Sequence, residues 1–438
     1  MIWLDERRQK SSMMFDAIDL NESKEWVLAE GILKHTTGGF FSIGGITAKA
    51  RCDSFDTVAQ PIIFQPEIGI LGFVVFETAG EYQWLVQAKA EPGNQGLVQL
   101  APTVQATYSN YMRRHGGAKT QYLSCFLGDQ KDGAHSNSLQ SEQGTRFFEK
   151  FNRNSVRCVA EKLPLKSDMY HWFDSKDLRQ ALLSDYCVNT DARSVITTAP
   201  WAFVSANKTP FSGENEPASF RALCRSSYCA VVDNDVVEHA TFLLEQARES
   251  FGLSVQKCGL GELPNWELHG AGMDSTLPGA EFNIRYYAVN AREREISLWD
   301  QPLVQSLSVA QSALLAQVRN GILQIFLSLN REIGLTGGVE YGPSYQSDCK
   351  SNEMRRMKAF LDTKNIKPQL TILQSDEGGR FMKSLARYSI ILLPDDVELP
   401  NQMPGLWVTL AQFEHLCRAP KLLTNEARSC ISLLLGIA

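Results

Sequence analysis

Residues 82 to 117 read YQWLVQAKAEPGNQGLVQLAPTVQATYSNYMRRHGG, and the spacing of apolar positions at the start of this stretch decides the fold of what surrounds it. From Tyr82 to Lys89 the period is two: Tyr82, Trp84, Val86 and Ala88 share one face, and Gln83, Leu85, Gln87 and Lys89 share the other. This predicts a strand with its first face in the core. If the chain stays extended to Glu91 before Pro92-Gly93-Asn94 turns it, Gln87, Lys89 and Glu91 project to one side, with the basic and acidic residues about 7 Å apart. A second short strand, Leu97 to Leu100, follows at once and makes a hairpin whose far side carries Gln99.

A lysine two residues from a glutamate is by itself an ordinary solvated pair. Its neighbours mark it out. Amides at Gln87, Asn94, Gln95, Gln99, Gln105 and Asn110, with hydroxyls at Thr103, Thr107, Tyr108 and Tyr111, suit a ligand rich in hydroxyl groups. Arg113, Arg114 and His115 then supply positive charge suited to phosphates.

Working outward, 438 residues allow two to three domains with sizeable cores. A hydrophobic fraction of 44% with 21% charged residues is that of an ordinary globular chain. With 43 basic against 49 acidic residues the net charge is -6, which disfavours nucleic acid as the main partner and leaves local anion sites open. The ten cysteines are scattered, with no CxxC and no histidine at metal spacing, so they read as reduced thiols of a cytoplasmic protein. The charged N-terminus MIWLDERRQK and the lack of any long apolar run argue against export and against a membrane span.

Taken in order, residues 1 to 25 form a polar, helical lead-in, and Phe40-Phe41-Ser42-Ile43 is strand-like. Gln60-Pro61-Ile62-Ile63 is an edge-type segment, because proline cannot donate to a ladder. Gly69 to Phe76 is a buried strand, and the composition of residues 127 to 144, LGDQKDGAHSNSLQSEQG, predicts a mobile polar loop. Helices follow near Lys176 to Ser184, capped by Asp174 or Ser175, and near Ala192 to Thr198. Residues 205 to 217 read as an interdomain linker, and a helix near Val237 to Phe251 opens what comes after it.

What comes after is a repeat of the first half. At a constant offset, positions 41 to 105 and 282 to 346 share fourteen identities, where composition alone gives about four. They include Phe41 with Phe282, Gln60-Pro61 with Gln301-Pro302, Glu91 with Glu332, Gly93 with Gly334, and Gln105 with Gln346. The tails repeat as well: Arg146-Phe147 recurs as Arg380-Phe381, and Asp191-Ala192-Arg193-Ser194 as Glu426-Ala427-Arg428-Ser429. The expected fold is therefore α+β, a tandem duplication with mixed sheets, its units spanning 1–215 and 216–438. Within the pair, Lys89 becomes Asn330, Gln87 becomes Ser328 and Arg113 becomes Met354. The first unit is expected to carry the working site and the second to be a degenerate repeat.

Leu85 to Asn94 (LVQAKAEPGN), Val98 to Tyr111 (VQLAPTVQATYSNY) and Arg114 to Gly117 (RHGG) together resemble the NDP-hexose 2,3-dehydratase family of deoxysugar biosynthesis. So do QPIIFQPEIGILGF (60 to 73), GTRFFEKFNRN (144 to 154), NTDARSV (189 to 195), WDQPL (299 to 303) and EGGRF (377 to 381). The run from Glu340 to Gln346 departs from the family pattern and puts a ligand pocket in the second copy in doubt. The resemblance implies two Nudix-like α/β/α halves, a homodimer and no redox cofactor or metal. Nudix hydrolysis is not implied, because Arg331-Glu332-Ile333-Gly334 lacks the flanking glycine and acids of a Nudix box.

The implied substrate is a nucleotide-linked 4-keto-6-deoxyhexose, dTDP-4-keto-6-deoxyglucose above all, and the unstable 3,4-diketo-2,6-dideoxy product implies a downstream ketoreductase. Elimination needs a base at C3, a donor at the developing oxyanion and an acid for the C2 hydroxyl. On that expectation Glu91 is base or acid, Lys89 the oxyanion partner, and Tyr108 or Tyr111 a proton donor. Gln87, Asn94, Gln99, Thr103, Gln105 and Asn110 hydrogen-bond the substrate, and Arg113, Arg114 and Arg146 meet its diphosphate. Trp26, Trp84 and Phe41 read as core rather than as a shelf for the base. Two rivals stay open: a metal-dependent nucleotide-sugar pyrophosphatase on the same fold, and a non-catalytic nucleotide-sugar binding protein.

Overall fold

The computed structural model describes residues 2–51, 55–107, 119–127, 134–205, 209–212, 219–230, 235–292, 294 and 296–438. Alternation at Tyr82 to Lys89 does produce a strand, Glu81–Ala90. Trp84, Val86 and Ala88 enter the main core with Phe73 and Val195. The opposite face is covered too, since Leu85 packs with Ile70, Val74, Val104, Phe126 and Tyr170 in a second cluster.

This strand pairs antiparallel with Gly69–Thr78, with Val98–Ala101 and with Tyr170–Asp174. Gly69–Thr78 runs parallel to Phe151–Val159, so the sheet is mixed. Its far edge corrects an expectation. Ala134–Ser141, inside the stretch composition marked as a mobile loop, is a strand antiparallel to Phe151–Val159. Polar residues hold it because the sheet edge opens on hydrogen-bonding partners: Gln140 donates to the carbonyls of Cys417 and Ala419, and Ser141 donates to Glu340. A second sheet joins Ser42–Lys49 and Val58–Phe64, and Pro61 leaves its edge so thinly covered that only Ile63 and Phe64 gain a further partner, the two-residue strand Phe147–Phe148.

Every one of these elements recurs. Among the described residues four mixed sheets, two of six strands and two of seven, fall into matched pairs, and the sheet of strands Ala310–Arg319 and Ile322–Arg331 copies that of Gly69–Thr78 and Glu81–Ala90. The copying reaches single atoms. Thr103 Oγ1 accepts from the Val74 amide and donates to the Leu85 carbonyl, and Ser344 Oγ, in the equivalent place, accepts from Leu315 and donates to Phe326. A hydroxyl therefore closes the gap between two diverging strands in both units. With eight α-helices among the described residues the chain is α+β.

The units are interlocked by exchange. Met14–Ile18 adds to Phe282–Asn290 of the second copy, and Ser254–Cys258 adds to Ser42–Lys49 of the first. Helices Thr190–Thr198 and Asn425–Leu435 pack on each other at the centre. There the buried Arg193 reaches Ser429 Oγ and the carbonyls of Val188 and Ser375, while Arg428 reaches Ser194 Oγ and the carbonyls of Leu423 and Ser141. Each guanidinium ties its own helix start to the other unit, so its burial is offset by fixed acceptors. The expected linker, 205–217, is described only at 205 and 209–212, where Phe211 is buried.

Candidate active site

The strand Glu81–Ala90 ends where the turn begins, and the turn is built to bring Glu91 inward. The Glu91 amide donates to the Leu97 carbonyl, Asn94 Nδ2 donates to the same carbonyl, and Gly96 and Leu97 both take the left-handed conformation. Gly93 presses against the second unit: its amide donates to Gly378, its carbonyl accepts from Lys383, and a Cβ there would lie 1.6 Å from the Phe381 carbonyl oxygen. Only glycine fits this close approach. The mirror turn does the same in reverse, Gly334 resting on Gly144 and Phe147.

Beside the turn lies a cavity of about 580 Å³, the size of a small-molecule site. Of the residues singled out in the sequence, Lys89, Glu91 and Gln105 stand on its wall. Lys89 Nζ is 3.2 Å from Glu91 Oε1, and Gln105 Nε2 donates to the same oxygen at 3.2 Å. Glu91 is only 3% exposed, and its second oxygen is buried with no hydrogen-bond partner among the described residues.

Other expected residues stand elsewhere. Thr103 closes the strand gap described above, Asn94 braces the turn, and Gln99 donates to Ser375 Oγ and to the Gln95 carbonyl; none of the three lines the cavity. Gln87 sits half-buried on the sheet opposite Ala101 and Tyr170. Arg146 lies in the mirror position, pairing with Glu281 and stacked 4.3 Å over Phe282, because each unit extends this arginine toward the other. Its repeat partner Arg380 is the one on the cavity wall, 4.4 Å over Phe41 and bonded to Gln65 Oε1. Tyr108, Asn110, Tyr111, Arg113, Arg114 and His115 lie outside the described residues.

Charged and polar groups that no sequence pattern announced also line the wall: Glu142, Lys150, Asn152 and Asp191 from the first unit and Glu377 and Arg380 from the second. Asn152 Nδ2 donates to Glu142 Oε1 at 2.6 Å, and Asn425 Nδ2 reaches its other oxygen at 3.4 Å. Burial, reinforced by the Glu377 carboxylate, pushes Glu142 up to about 7. Burial also pushes Asp191 well above the usual carboxylate range, with Glu142 and Glu377 adding to it. Lys150, buried and donating to the Glu67 and Phe151 carbonyls, is held down to about 8 by loss of solvent. The signal that could have found them lay in stretches already singled out, GTRFFEKFNRN, NTDARSV and EGGRF, but none carries a periodicity that aims these side chains at one point.

One end of the cavity is aromatic. Trp26, Phe40, Phe41, His35 and Trp299 line it, so Trp26 and Phe41 are core and wall at once, whereas Trp84 is core alone. Trp26 is fixed by its indole N–H on the Asp300 carbonyl.

The mirror location keeps the carboxylate and loses the ammonium. Asn330 donates to Gln346, Gln346 donates to Glu332, and Gln143 donates to Asp376, while the second oxygen of Glu332 is buried without a partner among the described residues, like that of Glu91. The two lysines become Asn330 and Ser384, and burial with Asp348 nearby pushes Glu332 up to about 8. Among the described residues no group of three or more His, Cys, Asp or Glu is placed to hold a metal ion, and no helix is long and apolar enough to cross a membrane.

The profile of a family described as NDP-hexose 2,3-dehydratase matches residues 1–198 and 238–434. The chain is also similar over 98% of its length to proteins named dTDP-4-dehydro-6-deoxy-alpha-D-glucopyranose 2,3-dehydratase. It is 31% identical to those of Saccharopolyspora spinosa and Amycolatopsis orientalis, covering 89% and 88% of them, and 29% identical to that of Streptomyces violaceoruber, covering 95%.

Proposed function

The chain belongs to the NDP-hexose 2,3-dehydratase family, and from that premise we propose that it is a hydro-lyase acting on a nucleotide-linked 4-keto-6-deoxyhexose, dTDP-4-keto-6-deoxyglucose in the first instance. Water leaves across C2 and C3, and the enol so formed tautomerises to a 3,4-diketo-2,6-dideoxyhexose for deoxysugar biosynthesis. The observation that carries this reading is the ammonium beside Glu91: Lys89 Nζ lies 3.2 Å from Glu91 Oε1 on the wall of a cavity large enough for a nucleotide sugar, where the mirror copy sets Asn330 near Glu332.

The C4 ketone acidifies the C3 proton, and the Glu91 carboxyl group is the acceptor for it. Negative charge then develops on the C4 oxygen. The Lys89 ammonium, already held in place by Glu91, meets that charge without reorganising, which is where a preformed site lowers a barrier most. Arg380 takes the diphosphate role expected of Arg146, and the aromatic end formed by Trp26, Phe40 and Trp299 takes the base. The mirror location, with no ammonium in place of Lys89 or Lys150, is read as a supporting copy.

Several finer points belong to the same reading. The two units, 1–215 and 216–438, are Nudix-like halves, supported by their matched mixed sheets. The protein is a cytoplasmic homodimer, and a ketoreductase takes up its unstable product. Incubation of the purified chain with dTDP-4-keto-6-deoxyglucose and a trapping ketoreductase, followed by mass spectrometry, tests the reaction. A reduced product lighter by one water supports it. Release of nucleoside monophosphate that stops with EDTA, or recovery of bound but unchanged ligand, contradicts it in favour of a pyrophosphatase or a binding protein.

A further inference from the structure

We propose that Glu377, supplied by the second unit, is the general acid that protonates the departing C2 hydroxyl, so that base and acid of one elimination come from different repeats. The assignment rests on the reaction proposed above and goes beyond it in naming a catalytic group that the leading copy does not contain.

Three observations converge on this residue. A methyl group built on Gly379 would lie 3.0 Å from Glu377 Oε1 and 3.6 Å from Glu91 Oε1, so an oxygen of each carboxyl group lies beside the same glycine, close enough to serve one bound sugar. Both line the cavity, with the ammonium of Lys89 beside Glu91. Glu377 is half-buried on the cavity wall, with no side-chain hydrogen bond of its own among the described residues. Its repeat partner is Gln143, which is tied to Asp376 and has no proton to give. The exchange of acid for amide therefore coincides with the exchange of Lys89 for Asn330.

The surroundings separate the two carboxyls in role. Burial raises Glu377 above the usual carboxylate range; Arg380 opposes this, and the negative charge of Glu91 adds to it. An acid disposed to keep its proton, set beside a second carboxyl group, is the pairing an elimination needs. The step balances: the C3 proton passes to Glu91, the C2–O bond breaks with its electron pair on oxygen, and the Glu377 proton completes the water. The proton on Glu91 then resets Glu377.

Wild type, Glu91→Gln, Glu377→Gln and Glu377→Asp are incubated with dTDP-4-keto-6-deoxyglucose in D₂O, and both dehydrated product and deuterium at C3 of recovered substrate are measured. Glu91→Gln is expected to lose both. Glu377→Gln is expected to keep C3 exchange while dehydration falls about 10²-fold or more, and Glu377→Asp, which restores an acid, to regain part of it. A Glu377→Gln variant that dehydrates at the wild-type rate overturns the assignment and returns the acid to Tyr108 or Tyr111. Parallel loss of exchange and dehydration overturns it as well, because a merely structural role gives that result. A wild-type chain that neither exchanges C3 nor loses water overturns the assignment together with the reaction, whereas the first two outcomes leave the reaction standing.

Discussion

Lys89 and Asn330 occupy one place in two copies of a fold, and the change from ammonium to amide governs what each place can do. Lys89 is 3.2 Å from Glu91, while Asn330 only hands a hydrogen bond to Gln346. Lys89→Ala is expected to lower turnover by about 10² to 10⁴, the scale of a positioned catalytic group, and Asn330→Ala to change it little. Steady-state kinetics on the two variants decides this; equal effects refute a single working site. Glu142 offers a second handle. Because it titrates at about 7 folded against an ordinary 4.5, the folded chain holds a proton there that the unfolded chain has released. Its contribution to stability is full below 4.5 and is lost as pH rises through about 7. Glu142→Gln should therefore show a smaller drop in Tm between about pH 5 and about pH 8 than the wild type, measured by thermal denaturation. At this scale the sequence carried Lys89, Glu91 and Gln105, because they lie close together on one strand and turn. Glu142, Lys150, Asp191, Glu377 and Arg380 were hidden because their meeting depends on contacts between segments far apart in the chain.

The turn Pro92–Leu97 is the element that joins chemistry to architecture. It holds Glu91 at one end and rests Gly93 on Gly378 and Phe381 of the second unit. Gly93→Ala drives a Cβ into a backbone carbonyl, so it should cost about 1–3 kcal/mol and displace Glu91, seen as a lower denaturation midpoint with a larger loss of activity. Thr103→Val should cost a similar amount without touching the cavity, because it strips the Val74 amide and the Leu85 carbonyl of their partner in the interior. Its kcat is expected to stay near wild type. Elements with a clean period were legible: the strand Glu81–Ala90, its hairpin, and the helix Val236–Phe251 all stand where alternation or helical spacing put them. Ala134–Ser141 was not, since its polar residues are held by Cys417, Ala419 and Glu340, partners no local pattern announces.

At the scale of the molecule, duplication was plain from the fourteen identities, but the exchange between the copies was not. Identity at a constant offset says that two units exist; it does not say that each lends the other a strand, an arginine and a turn. The interlock through Met14–Ile18, Ser254–Cys258, Arg193 and Arg428 predicts one cooperative unfolding transition in calorimetry rather than two. It also predicts that residues 1–215 expressed alone yield no dehydratase activity, since Glu377 and Arg380 would be missing from the wall. The measurement that bears most directly on the whole account is a crystal structure of the protein soaked with a dTDP-sugar. The account predicts the hexose between Lys89, Glu91 and Glu377, with C3 facing Glu91 and thymine at the Trp26–Trp299 end. A sugar bound at the Asn330–Glu332 location instead, with the Lys89 cavity empty, would contradict it.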